Sequence, residues 1–392
     1  MKEIRIGLIG GVGWMAKTHA LTYAMAPTIF GNAPARPVLE MLAEATDELA
    51  KGAAADYGAR RWTSDWRKLV NDPNIDVVDV CTPNHLHKEM VLAAAAAGKH
   101  IYCEKPLGLN VDETRVMADA VRKAGVLNLV GHNFPHNPIH SLARDIIRGG
   151  EIGELVNMRV SFNVDFLADE DIPFIWRCDR KLAGSGTVGD INVHVFSFTE
   201  YLIGPLAEVC AKLTTVVKQR KVIEGATIGR SSDTSSKAQM RTVDTDDAVQ
   251  MIATFENGCT GIFDTSRVAH GHKADMSYDI VGRKGAIRWS NDRLNELQVY
   301  TTADPADRVG FKRIETNPAH PYYGSFYPIA SIGMGYNDIK VIEVRELVQA
   351  VSGENVKLWP DFAVAHRIQR YVEATIKSSE ERRWVKISEI PA

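Results

Sequence analysis

The feature that most limits what this chain can become is Gly11-Val12-Gly13-Trp14-Met15-Ala16, a G-x-G-x-x-A turn set between an apolar run, 4–9, and a helical stretch, 14–25. A strand that passes through such a turn into a helix presents backbone amides and the positive end of a helix dipole, a combination suited to a pyrophosphate. Gly11 and Gly13 permit the tight turn and close backbone approach, Ala16 permits close helix-to-strand packing, and Trp14 and Met15 open the helix beside the ligand. A second requirement is an acid after the second strand to accept hydrogen bonds from ribose hydroxyls, and Glu44 in Leu42-Ala43-Glu44-Ala45 takes that place. It stands further along than the usual ~20 residues, and a Pro-, Gly- and Ala-rich stretch at 26–37, read as a loop, absorbs the difference. No arginine directly follows Glu44 to receive a 2′-phosphate, which favours NAD over NADP.

The rhythm after the turn supports a parallel sheet. A strand at 38–43, helices at 47–57 and 65–71, an apolar run at 75–81, a helix at 85–97, a strand at 100–103, a helix at 111–124 and a strand at 126–130 alternate as in a doubly wound α/β (Rossmann) domain, 1–131. Beyond 132 the pattern changes. Alternating stretches at 155–165, 207–218, 248–255, 260–265 and 277–281, with turns such as Glu256-Asn257-Gly258, predict an α+β domain, 132–392, built on a large, mostly antiparallel open sheet. Helices are expected at 138–149, 188–202, 338–352 and 361–378, and the polar stretch 219–243, with its paired serines, reads as an exposed mobile loop.

Composition excludes several partners. With 46 Lys and Arg against 49 Asp and Glu, the formal charge is −3 and no basic run suits nucleic acid or a membrane surface. The 5 cysteines are scattered without a CxxC pair, which argues against a disulfide framework or a structural zinc site. His132, His136 and His140 repeat every four residues, but Pro135 and Pro138 break any helix there, so no metal site is expected. The start of the chain lacks a signal-like apolar segment, and a cytoplasmic location is the expectation.

Further motifs narrow the reading. Thr82-Pro83-Asn84-His85-Leu86-His87, Ala97-Gly98-Lys99-His100, Glu104-Lys105-Pro106 and Gly186-Thr187-Val188-Gly189-Asp190-Ile191-Asn192-Val193-His194 occur in order, with Gly150-Glu151-Ile152-Gly153-Glu154 between them. Together they resemble the Gfo/Idh/MocA family, the relatives of glucose–fructose oxidoreductase and inositol dehydrogenase, over nearly the whole chain. Trp176-Arg177, Gly184-Ser185-Gly186 and Pro318-Ala319-His320-Pro321-Tyr322 look most like its inositol and levoglucosan dehydrogenase branch. One departure is that Asn133-Phe134-Pro135 stands where many relatives have Asn-Tyr-Arg, so an arginine often found near cofactor or substrate is missing.

The resemblance implies an NAD-dependent dehydrogenase that oxidises a secondary hydroxyl of a cyclic polyol, whether sugar, anhydrosugar or inositol. It implies cofactor contacts at Thr82, Asn84, His87, Glu104, Lys105 and Asn133, and a cis peptide at Lys105-Pro106. Lys105 would hydrogen-bond the reacting oxygen. His194, with an ordinary pKa near 6.5, would serve as general base. Asp190, spaced i, i+4 from it on one helix face, would orient the imidazole or the substrate hydroxyl and balance the charge of Lys105. Which of Lys105 and His194 moves the proton stays open, because coupled groups titrate together. Asp165, Trp176, Arg177, Asn192 and Tyr336 are candidates for the polyol pocket. Two other readings compete: an NAD-dependent glycosidase acting through transient sugar oxidation, and a non-catalytic dinucleotide sensor, for which an intact Lys105, Asp190 and His194 would be superfluous. The open sheet would leave a broad face to cover, so a homo-oligomer, dimer or tetramer, is expected.

Overall fold

A computed structural model of the chain describes residues 2–223 and 239–392. The chain divides into two compact units, the first made of residues 1–108, 112–138 and 317–366, the second of 109–111, 139–316 and 367–392. The sequence suggested a single cut after 131; the first unit in fact reclaims a later segment, because Tyr323, Val341, Ile342, Val344 and Leu347 join the apolar cluster of Ile4, Ile6 and Leu8.

The first unit holds six parallel strands, β1 (Lys2–Ile9), β2 (Ala35–Ala43), β3 (Arg61–Thr63), β4 (Val77–Val80), β5 (His100–Cys103) and β6 (Asn128–Val130). Their order is β3-β2-β1-β4-β5-β6, so the winding reverses between β1 and β4, and ligands of such sheets gather at the carboxyl ends of the strands at that point. The fold here is the doubly wound one that the strand and helix rhythm predicts. Two boundaries differ. The helix after the glycine turn runs Trp14–Ile29 with Pro27 inside it, and β2 starts at Ala35, so the expected loop at 26–37 shrinks to a few residues. Pairing of Ala35–Pro37 with Lys2–Ile4 outweighs the loop-like composition.

In the second unit lie β7 (Leu155–Asn163), β8 (Leu206–Thr214), β9 (Gln219–Lys221), β10 (Met240–Thr242), β11 (Ala248–Phe255), β12 (Thr260–Ser266), β13 (Asp275–Gly282), β14 (Gly285–Ser290), β15 (Glu296–Thr301), β16 (Lys312–Glu315) and β17 (Val385–Lys386). Nine of them form one sheet in the order β16-β15-β14-β13-β7-β12-β11-β8-β17, antiparallel except where β7 runs parallel to β12. The ends of the stretch read as a mobile loop are instead a short ladder, β9 against β10, and its serines at 231–236 lie outside the described residues. Every residue of the helix Asn192–Leu202 is buried. The helix expected over 188–202 is two, Thr187–Asp190 and Asn192–Leu202, divided at Ile191. Among the described residues, no helix is long and apolar enough to cross a membrane.

Candidate active site

The glycine turn sits at the carboxyl end of β1, next to the end of β4. The left-handed backbone falls at Gly10 (φ +94°), where a Cβ would stand 2.9 Å from the carbonyl carbon of Cys81, while a Cβ on Gly11 would meet the Leu42 side chain at 2.8 Å. The tightness of the turn therefore rests on Gly10 and Gly11. Gly13, at which a Cβ would meet nothing within 4 Å among the described residues, leaves space in front of the helix. No side chain caps that helix at its N-terminus and no acid lies in its first turn. Its free amides and positive dipole end are what a pyrophosphate would use. Beside them Val12 and Trp14 are 57% and 63% exposed.

Glu44 follows β2 directly and reaches this turn. Its Oε1 accepts the Val12 N–H at 2.9 Å and its Oε2 accepts that of Ala45 at 2.8 Å. Acid and glycine turn, 32 residues apart, thus meet. These residues fit a dinucleotide: open amides for the phosphates, an acid for ribose hydroxyls and exposed apolar side chains for a ring. Met15 and Trp14 both touch Tyr336, whose Oη lies 3.7 Å from the Met15 Sδ and whose ring centroid is 5.7 Å from that of Trp14. Tyr336, taken from sequence as part of the polyol pocket, therefore stands against the glycine turn.

At the end of β4, Thr82 places its Oγ1 3.6 Å from the Met90 Sδ, and Asn84 is buried at the start of a short 3₁₀ turn. His87 is buried with its ring nitrogens 3.0 and 2.8 Å from the carbonyl oxygens of Pro106 and Thr82. Burial holds its pKa below the ordinary value, and a neutral ring has a single N–H to give, so it hydrogen-bonds one of these two carbonyls at a time. That geometry places His87 between the backbone at Thr82 and that at Pro106. Asn133 is buried, and neither its Oδ1 nor its Nδ2 has a hydrogen-bond partner among the described residues, a state that a bound ligand would relieve.

Lys105 follows β5, and its bond to Pro106 is cis, as the resemblance implies. Glu104 just before it is the centre of a buried cluster that sequence reasoning missed. His19 presents Nδ1 to Asp79 and Nε2 to Glu104, each at 2.9 Å, and Lys340 donates to Glu104 at 2.9 Å and to Tyr102 at 2.8 Å. Burial works to raise the Glu104 carboxyl, but the charges of Lys340 and His19 hold it well below the ordinary range. His19, Asp79 and Cys81 stand close enough to suggest a metal, yet a protonated His19 gives both ring N–H groups to carboxylates and has no lone pair to offer an ion. His132 lies buried near the Lys105 charge, and both effects press its pKa down to about 3. The signal for this cluster was a lysine with a glutamate three residues on, inside the apolar run 339–348.

In the second unit, Asp190 ends one helix and His194 lies in the first turn of the next, so the single helix face expected for them is interrupted. Asp246 accepts the amides of Gly186 and Val188, each at 2.8 Å, and holds the start of the first helix from outside. Asp190 accepts from Arg177 Nε at 3.2 Å, and the Arg177 guanidinium lies over Trp176 at 4.3 Å, so three expected residues form one group. Buried His194 has its ring 6.0 Å from that of Phe162. Asn192 is buried, and its amide atoms lack partners among the described residues. Asp165 is ion-paired with Lys273 and accepts the Gly271 N–H at 3.3 Å, an arrangement that engages its carboxylate on an exposed turn.

A doubly wound sheet with an uncapped glycine turn at its reversal and an acid after its second strand defines a dinucleotide-binding protein. Comparison with known proteins makes this specific. Residues 4–132 match the model of an oxidoreductase family with an NAD-binding Rossmann fold, and residues 140–288 match the GFO/IDH/MocA C-terminal domain. The chain belongs to the Gfo/Idh/MocA family of NAD-binding oxidoreductases. It is 39% identical over 392 residues to a levoglucosan dehydrogenase from Pseudarthrobacter phenanthrenivorans, covering 100% of each chain. It is 26% identical over 396 residues to a myo-inositol 2-dehydrogenase from Thermotoga maritima, covering 99% of each. A solved levoglucosan dehydrogenase in complex with NADH and levoglucosan superposes with a TM-score of 0.91 at 39% identity, covering 98% of this chain and 100% of that one.

Proposed function

We propose that this chain is an NAD-dependent dehydrogenase that oxidises a secondary hydroxyl of a cyclic polyol, with an anhydrosugar of the levoglucosan type as the first substrate to try. The observation that carries the reading is the end-to-end likeness, 39% over 392 residues, to a levoglucosan dehydrogenase in a chain that keeps Lys105, Asp190 and His194.

Bound at the glycine turn, NAD supplies the hydride acceptor. The chain's own residues do the rest. Glu44 accepts hydrogen bonds from the ribose hydroxyls, and the missing arginine after it favours NAD. Lys105 donates to the reacting oxygen and steadies negative charge as it develops. His194 takes the hydroxyl proton on its imidazole and returns it in the reverse direction. Asp190 has a direction fixed by Arg177 and orients the polyol or the imidazole. Asn192, whose amide atoms lack partners among the described residues, and Trp176 suit contacts to further hydroxyls and to a sugar face. We place the enzyme in the cytoplasm and expect a dimer or tetramer built through the outward face of the second sheet.

The test is absorbance of reduced nicotinamide with NAD or NADP and a panel of levoglucosan, myo-inositol and aldoses. Steady NADH formation with one of these polyols is expected, with Lys105→Ala and His194→Ala each lowering kcat by roughly 100-fold or more. Dinucleotide binding without net reduced cofactor from any polyol would overturn the dehydrogenase reading in favour of a glycosidase or a sensor.

A further inference from the structure

We infer that Lys340 is a positioning residue for Lys105, acting through Glu104; the inference rests on the reading that Lys105 holds the reacting oxygen.

Lys340 lies in the helix Tyr336–Val351, more than 230 residues from Glu104 in sequence, and its side chain is fully buried. An ammonium in such a place needs an acceptor for each proton. It donates to Glu104 Oε1 at 2.9 Å and to Tyr102 Oη at 2.8 Å, and is ion-paired with Glu343, whose Oε2 lies 3.0 Å away. The Tyr102 hydroxyl in turn donates to Glu343 Oε2 at 2.8 Å, which links the lysine and both acids in one network.

Glu104 divides its two oxygens between different tasks. Oε1 is shared by Lys340 and His19, cations from two separate helices. Oε2 accepts the backbone N–H of Lys105 at 3.2 Å. The position of the Lys105 peptide is thereby tied to where Lys340 stands. Gly131 reports how closely the pair fits: a Cβ there would stand 2.4 Å from Glu104 Oε1 and 2.9 Å from Lys340 Nζ. An apolar cluster of similar volume would fill a core at least as well. What charge adds here is a direction, and that direction ends on the residue assigned to the reacting oxygen. The same helix face carries Tyr336 one turn earlier, against Trp14 and Met15, so one helix braces both the glycine turn and the Lys105 peptide.

The experiment uses the full chain with NAD and levoglucosan, or whichever polyol of the panel the wild type oxidises. Lys340→Met and Gly131→Ala are made in the wild-type and in the Lys105→Ala backgrounds, with residual turnover followed over hours and NADH binding measured by fluorescence titration. A displaced Lys105 should lower kcat by roughly 10- to 100-fold in each single variant, with NADH affinity within about threefold of wild type. In the Lys105→Ala background neither substitution should lower turnover further, because the group they position is gone. If Lys340→Met does not fold, Gly131→Ala, which removes no charge, decides the matter by itself. An unchanged kcat, or a full additional loss on top of Lys105→Ala, overturns the positioning role and leaves the dehydrogenase reading intact. A Lys105→Ala variant with wild-type kcat overturns the role of Lys105 and this inference with it.

Discussion

At His19, burial and charge act in opposite directions. The ring is fully buried, which by itself would lower its pKa, and Lys340 repels its charge. The Asp79 carboxylate and the hydrogen bonds to Asp79 and Glu104 outweigh both and raise it to about 9. The unfolded chain has an ordinary histidine near 6.5. Between these values the folded protein binds more protons, so the stabilisation is complete below about pH 6.5 and is lost as pH rises through 9. The difference corresponds to roughly 3 kcal/mol. Thermal unfolding midpoints should therefore fall between pH 6.5 and 9.5, and His19→Gln should be less stable at pH 6.5 and lack this slope; a wild-type midpoint flat across the range would refute the protonated histidine. Glu44 invites a test of cofactor choice. Its Oε1 sits on the Val12 amide at 2.9 Å, where a ribose hydroxyl would be in reach. Glu44→Ala should raise KM for NAD about 10- to 100-fold with kcat little changed, and narrow the preference over NADP. Equal effects on both cofactors would remove Glu44 from the ribose site.

The unit of β1, glycine turn and helix separates two jobs that sequence spacing gives to the same glycines. Gly10→Ala would force a side chain into φ +94° and against Cys81 at 2.9 Å, so it should cost about 2 kcal/mol or more of stability. Gly13→Ala meets no atom of the described residues within 4 Å, so its unfolding midpoint should stay near wild type while NAD affinity falls, because the added methyl occupies space open to the phosphates. Calorimetry and cofactor titration on the two variants check this; a Gly13→Ala protein with unaltered affinity would mean that the backbone is not approached there. Much of this element structure was legible. Thr46, whose side chain accepts the Leu49 N–H, and Gly58 at φ +70° bracket the helix Asp47–Tyr57 where composition and periodicity put it, and β5 spans the expected His100–Cys103. The glycine turn and Glu44 were legible because both are local to strand ends. What escaped the sequence depended on distant partners. Asp246 holds the start of the helix Thr187–Asp190 from 58 residues away, the early start of β2 comes from its pairing with β1, and Lys340 finds its acceptors at Tyr102 and Glu104. Local spacing carries no information about any of these.

Across the whole molecule, the two units solve the exposure of their sheets differently. The parallel sheet is covered on both sides: all residues of β4, the charged Asp79 included, are buried, as expected when helices cover both faces. The second sheet alternates. Along β11, Val249, Met251, Ala253 and Phe255 are buried while Gln250 and Ile252 are exposed, and β12 repeats the pattern with Ile262 and Asp264 outward. Ile252 and Ile262 are direct cross-strand partners, each 46% exposed, and so form an apolar centre on that face. Around them stand matched polar pairs: Gln250 donates to Asp264 at 3.0 Å, and Arg288 to Asp279 at 2.9 Å. An apolar centre with a rim of paired polar side chains is the composition of a protein interface, and a face carrying both signs can meet its own copy about a two-fold axis. We therefore expect light scattering on the wild type to give a whole multiple of the chain mass. Ile262→Arg would put a second guanidinium beside Arg159, its register partner on β7, and a like charge opposite its own copy. That variant should dissociate to a smaller species, with its unfolding midpoint changed by only a few degrees because the replaced side chain already faces outward. A wild type that scatters as one chain, or an Ile262→Arg variant with the parent mass, would mean that this face is not where copies join and that its isoleucines need another partner.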